Sequence, residues 1–257
     1  MIGFRVLLAK ELREQLRTYR LPVVAVVFVA LGLGSPVLAR YTPELIKSLG
    51  GAQVEGLAGL FGTPAASDAV DQLMKNLGQI GILVSILLAM GSVAGEKASG
   101  TAALILTKPA SRAAFLAAKL AAISITLGVA TLLASGFGYA YTGLLFGTWL
   151  PVGGFAAMAL LLWVSLVFYA ALTFLGSTLT RSSMAAAGIG IAFFIATGIL
   201  SIIPVIGDYL PQSLEKPGRA LALGLDPGAF AGPLAVSIGL IALLGLVSWL
   251  SFRRQEL

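Results

Sequence analysis

Gly95–Lys119 reads GEKASGTAALILTKPASRAAFLAAK, a charged interlude between two strongly apolar blocks. Glu96 and Lys97 close the first block, and Lys108, Arg112 and Lys119 open the next. Thr101 to Leu106 is a mostly apolar run, long enough for about two turns of helix. Lys108-Pro109 stops it, because the residue before a proline is pushed out of the α region. Ser111 or Thr107 can cap a new helix, with Pro109 tolerated in its first turn. The expected product is a short helix lying parallel to a membrane between two spanning helices. A turn between spans needs only a few residues, so a structured segment of this length invites a partner.

Composition places the whole chain in a membrane. Apolar residues make up 58% and charged residues 11%, against roughly 45–50% and about 25% in soluble domains. Mean hydropathy is +0.97. The 257 residues hold no long polar segment, so a single membrane domain is expected. The pI near 9.8 is not a nucleic-acid signal, because the basic residues sit beside the apolar blocks. There is no Cys and no His, which removes thiol nucleophiles, histidine bases, disulfides and ordinary zinc sites together.

Residues 2–20 carry Phe4, Leu8, Leu12, Leu16 and Tyr19 at helical spacing, with Arg5, Lys10, Arg13, Arg17 and Arg20 mostly on the other side. That pattern predicts an amphipathic helix in the headgroup layer, its basic face toward anionic lipid. Six spans follow, at about 21–39, 77–95, 111–146, 154–178, 184–203 and 231–252, each near or above the roughly 20 residues a bilayer needs. Pro36 predicts a kink near the end of the first. Residues 40–77 read as a long loop with short interfacial helices around Leu45, Leu49 and Leu57. The third span would measure about 54 Å as one straight helix, so it either projects from the membrane or breaks near Gly136 and Gly138. Projection at its start is preferred, to bring Lys119 to water. Trp149-Leu150-Pro151 marks a tight interfacial turn.

Charge counting sets an orientation. With the N-terminus inside, twelve of the 17 basic residues fall on cytoplasmic segments, and seven of the 11 acids fall outside. Both ends are therefore expected in the cytoplasm.

No ionisable residue lies in the middle of any of these spans, which argues against an ion-coupled carrier or a channel with charged rings. The sequence has no Gly-Lys dipeptide, so the G-x-x-x-x-G-K-[ST] phosphate loop is impossible. Active transport would need ATP hydrolysed by another chain. Serines lack a His or plausible Lys partner, so none is expected as a nucleophile.

Gly95-Glu96 directly after a span, Gly100-Thr101, Pro109-Ala110-Ser111-Arg112 and Lys119 opening the next span together resemble the permease subunit of ABC-2-type ATP-binding-cassette exporters. The resemblance implies an all-α polytopic protein with six transmembrane helices. It also implies an N-terminal amphipathic elbow helix over 2–20 and a coupling segment over 96–110 that docks on a separate ATPase subunit. On that view Glu96, Lys97, Gly100, Thr101, Pro109, Ser111 and Arg112 are docking residues, with Arg181 and Ser182 a second contact. ATP and Mg would sit on the partner ATPase and no cofactor on this chain. Two permeases would work with two ATPases, in a prokaryotic inner membrane and among its lipids. The elbow helix is then either a simple anchor or a seat for the ATPase.

Other features keep two readings. Gly91, Gly95 and the Ala185–Gly190 stretch either pack helices within one subunit or form a homodimer seam. Phe137, Tyr139, Tyr141, Phe168, Tyr169, Phe174, Phe193 and Phe194 either face lipid or pack between helices, or line a path for apolar or amphipathic cargo. Residues 204–230, chopped by Pro204, Pro211, Pro217 and Pro227, form either an ordinary extracellular loop or short re-entrant helices that close an exit. The rival to a permease is a non-transporting membrane anchor or assembly factor of the same topology.

Overall fold

The computed structural model describes residues 3–50, 63–106 and 111–255. Their regular structure is helical: α1 Phe4–Arg17, α2 Arg20–Gly50, α3 Ala66–Met90, α4 Ala94–Ala98, α5 Thr101–Leu106, α6 Arg112–Phe146, α7 Val152–Leu179, α8 Ser183–Leu200, α9 Ile206–Tyr209, a 3-10 turn Pro211–Leu214, α10 Glu215–Ala222 and α11 Ala231–Arg253. Among the described residues, six helical segments are long and apolar enough to cross a membrane: Arg20–Thr42, Ala66–Ala98, Arg112–Phe146, Val152–Leu179, Ser183–Leu200 and Ala231–Arg253. The protein is an all-α polytopic membrane protein.

Helix α7 is the axis of the bundle. It packs against α3, α6, α8, α10 and α11, and its Met158, Leu166, Tyr169 and Phe174 are almost wholly enclosed. The peripheral helices α2, α8 and α11 turn apolar side chains such as Val26, Ile195 and Leu243 outward, as helices bathed in hydrocarbon must. Glycine sets two close crossings. A Cβ at Gly32 would collide with the Ala134 carbonyl of α6, and one at Gly154 with the Leu221 carbonyl of α10. Small residues let these backbones meet without side chains between them.

Several boundaries differ from the sequence reading. Helix α2 runs unbroken past Ala39 and through Pro36 to Gly50. Beside the proline, Ser35 Oγ donates to the Leu31 carbonyl at 2.6 Å and accepts from Asn76 of α3 at 2.9 Å, which ties α2 to α3. Helix α3 begins at Ala66, well before Leu77. Asp68 accepts the Ala65 N–H at 2.8 Å to start it, and Asp71 pairs with Arg219 of α10. The short helix expected around Leu45 and Leu49 is instead the last part of α2, and the one expected around Leu57 lies outside the described residues. Helix α6 does not break at Gly136 or Gly138; Gly138 instead admits Leu73 and the Gly32 carbonyl of α2. It ends at Gly147, left-handed at φ 67°, with Trp149 folded back over Gly143 and Tyr139 donating to the Leu150 carbonyl at 3.2 Å. That is the tight turn expected there.

Between α3 and α4 the chain turns at Gly91–Val93, and one hydroxyl bridges the interruption. Ser177 Oγ of α7 accepts from Val93 N at 3.1 Å and Ala94 N at 2.9 Å, and donates to the Met90 carbonyl at 2.8 Å. Ser177→Ala strands buried backbone groups and is expected to cost about 1–3 kcal/mol. A thermal-shift assay in detergent checks it; an unchanged midpoint would show that water takes over the bonds.

Residues 204–230 are not a free surface loop. Pro211, Leu214, Pro217, Gly218 and Ala222 are buried, and Ser165 of α7 donates to the Pro211 carbonyl at 2.7 Å. Gln212 Nε2 meets the Tyr169 hydroxyl at 2.6 Å, which is also 2.9 Å from Thr197 Oγ1. The segment is folded back into one end of the bundle.

Candidate functional site

At the opposite end, α1, α4 and α6 converge on a polar cluster. Lys119 lies on the second turn of α6 and is 3% exposed. Its ammonium is 3.1 Å from both carboxylate oxygens of Glu11 and 2.7 Å from Glu96 Oε1. Lys10 lies beside it, 2.9 Å from Glu11, 2.8 Å from Glu14 and 3.5 Å from Glu96. Thr126 of α6 donates to Gln15. A cleft of about 560 Å³ opens onto these side chains, with Gly91, Ser99 and Thr101 also on its wall.

The expectation that Lys119 reaches water is overturned. Its charge is met inside by two carboxylates, and its ammonium lies over the Phe115 ring, 5.1 Å from the centroid. A buried lysine needs such company, because an isolated charge out of water costs several kcal/mol. The orientation of α1 changes with it. Its buried positions are Leu7, Glu11 and Gln15, so an acidic and amide stripe faces the bundle, while Phe4, Leu16 and Tyr19 are exposed together with Arg5, Arg13, Arg17 and Arg20. Tyr19, left-handed at φ 58°, makes the corner into α2.

Electrostatics tie α1 internally as well. Burial works against the Lys10 charge, but hydrogen bonds to Glu14 and Glu11 outweigh it and hold the proton above the ordinary lysine range. Burial would raise Glu14, and the bond from Lys10 overcomes that and lowers it. The depressed Glu14 contributes stability above the ordinary carboxylate range, lost as pH falls through its folded value.

A second knot closes the same end. Lys97 Nζ donates to the Thr178 carbonyl at 2.7 Å and Gln255 Oε1 at 3.2 Å. Arg112 donates to the carbonyls of Phe252, Arg253 and Gln255 at 3.2, 2.9 and 3.1 Å, and so caps the end of α11, whose last carbonyls have no helical partner. Phe115 stacks on Phe252 at 5.8 Å.

The residues expected to dock a partner therefore divide. Glu96, Lys97 and Arg112 are engaged within the subunit. Ser111 caps α6, accepting Ala114 N at 3.1 Å, and Ser182 caps α8, accepting Ala185 N at 3.3 Å. Gly100, Thr101, Ser111, Arg181 and Ser182 are exposed, and Pro109 lies outside the described residues. Gly100 has φ 73°, the left-handed corner between α4 and α5. Gly100→Val forces a β-branched residue there and is expected to cost about 1–2 kcal/mol. Limited proteolysis near α5 checks it, with faster cleavage expected and an unchanged rate counting against it.

Sequence reasoning missed Glu11, Glu14, Gln15 and Thr126. The signal was present. Glu11 and Gln15 are four apart on an otherwise basic helix, and Lys119 is a lone charge inside an apolar run that needs a counter-ion. Gly91 and Gly95 lie beside Ser183 of α8 within the subunit.

The six apolar helices among the described residues and the polar junction at one end define a polytopic membrane protein. A family model described as "ABC-2 family transporter protein" matches residues 5–257, and the chain belongs to that family as a permease component. A relative in Bacillus subtilis (strain 168), the "Uncharacterized transmembrane protein YxlG", is 32% identical over 255 residues, covering 97% of each chain.

Proposed function

We propose that this chain is the transmembrane subunit of an ATP-driven exporter, working as a homodimer with two copies of an ATPase that binds ATP and Mg. Its termini lie in the cytoplasm and its spans in a prokaryotic inner membrane, as the basic residues favour. The ATPase docks on α5 and the adjoining turn, touching Gly100 and Thr101, with Pro109 and Ser111 at the far side and Arg181 and Ser182 as a second contact. Glu96, Lys97 and Arg112 pass the push inward.

The observation that carries this reading is the Glu11–Lys119–Glu96 cluster. It joins the segment beside the docking surface to the start of α6 and to α1 by charge-assisted contacts, so that displacing α4 and α5 must move a spanning helix. The exposed arginines of α1 keep that helix at the lipid headgroups.

The chain has no cysteine, which makes cross-linking selective. Thr101→Cys and Arg181→Cys, purified gently from native membranes with a bifunctional thiol–amine reagent, are expected to trap an ATPase subunit near equal stoichiometry, with the adduct changing on ATP addition. A monodisperse preparation that carries no ATPase would overturn the exporter reading and favour a membrane anchor.

A further inference from the structure

The end of the bundle away from the charge cluster holds a cavity of about 520 Å³ between α3, α8 and the Pro211–Lys216 segment. Ile82, Phe194 and Ile195 give it apolar walls, and Gly78 and Gly198 leave it room. Glu215 lines it and lies against α3, where Gly78 has no side chain: a Cβ there would come within 2.8 Å of Glu215 Oε1. Gly78 is about 18 Å along α3 from Ala66, so this carboxylate is carried well down into the bundle.

Among the described residues the Glu215 carboxylate has no hydrogen bond and no ion pair, although Lys75 and Lys216 border the same cavity. Both lysines are exposed at its rim, with Asp208. The neighbouring Ser213 Oγ is shielded from solvent and also lacks a partner. A half-buried carboxylate without a counter-ion loses part of its hydration uncompensated, and a cation or a proton coming to it relieves that cost. Its volume falls in the range of pockets that hold drug-sized molecules, and the walls suit an apolar body.

We propose that this cavity is a binding site for an organic monocation with an apolar body, its charge on Glu215 and its body against Ile82, Phe194 and Ile195. The assignment of such a cation as cargo rests on the permease reading, whereas its binding does not. The cation comes either from an amphiphilic solute or from the amine headgroup of a lipid, and both offer the same chemistry to Glu215. Burial raises the Glu215 carboxyl above its ordinary range. Affinity therefore weakens as pH falls through that raised value, where the proton replaces the cation. The charged and titratable groups around it are Lys75 on α3, Asp208 on α9, Lys216 on α10 and the Tyr169 phenol on α7 behind Gln212.

The test is equilibrium binding of labelled tetraphenylphosphonium to the full chain in nanodiscs without ATPase, with neutral triphenylphosphine oxide as comparator. Saturable binding of the cation is expected, weakened at least tenfold in Glu215→Gln, with the neutral comparator unaffected by that change. Gly198→Trp, placed where a Cβ meets nothing within 4 Å, is expected to fill the cavity and abolish binding of both. Stronger cation binding when phosphatidylethanolamine is replaced by an uncharged glycolipid, which removes the amine without adding negative surface charge, assigns a lipid headgroup as the resident occupant, and equal binding assigns a solute; each supports the site. No saturable cation binding in either lipid, or equal affinity in monodisperse Glu215→Gln, overturns it. Because no ATPase is present, a failure to couple ATP turnover cannot produce these results.

Discussion

Lys119→Met is expected to destabilise the protein by on the order of 3–5 kcal/mol, because it leaves Glu11 and Glu96 facing each other without their shared cation. The variant should fall in yield, lose its monodisperse peak and melt many degrees lower in detergent. Lys10 cannot substitute, since its side chain is 40% exposed and its ammonium is already shared among three carboxylates. The informative companion is Lys119→Met with Glu11→Gln and Glu96→Gln, which removes the cluster whole. Replacing a buried ionic group by uncharged residues of similar size is often neutral or better for stability, so the triple variant should regain most of the loss. In the exporter reading it should then remain assembled yet lose the response of ATP turnover to cargo. A single variant as stable as the parent would show that Lys119 reaches water after all, and a triple variant with normal coupling would remove the cluster from the mechanism.

Gly154→Val should be of comparable size. Gly154 is the point where α7 meets α10, and any Cβ there overlaps the Leu221 backbone rather than a side chain that could swing aside. Overpacking in a rigid contact costs typically about 1–3 kcal/mol and more when backbone must move. The expected outcome is release of α10 and of the 3-10 turn it follows, read as faster hydrogen exchange over residues 211–222 with α1 and α4 unaffected. Protection unchanged in that segment would mean that the helices separate cheaply.

The six spans, the short α5 helix and the Trp149–Pro151 turn were legible in the sequence because each rests on local signals: apolar length, a proline boundary, an aromatic beside a proline. The long reach of α2 and α3 was not. Arg40, Glu44, Asp68, Asp71 and Lys75 look like loop residues in one dimension, yet Arg40 donates to the Leu145 carbonyl at 2.9 Å and Asp71 pairs with Arg219. Charge compensated across helices lets polar residues stay helical, and the compensating partner is more than 100 positions away. The same limit hid the inner face of α1. Periodicity gave a helix over this stretch, but it could not say that Glu11 would turn toward Lys119. It also could not say that Glu96 and Arg112, conspicuous as exposed charges in a loop, would be consumed by contacts within the subunit.

The order of Glu11, Glu96 and Lys119 along the chain bears on how the protein is made. Both carboxylates leave the ribosome before the lysine does, so the third span enters the membrane with its neutralising groups already in place on the preceding segments. A circular permutation that delivers α6 first would present that lysine to the insertion machinery with no counter-ion, and the burden would fall on biogenesis rather than on the finished fold.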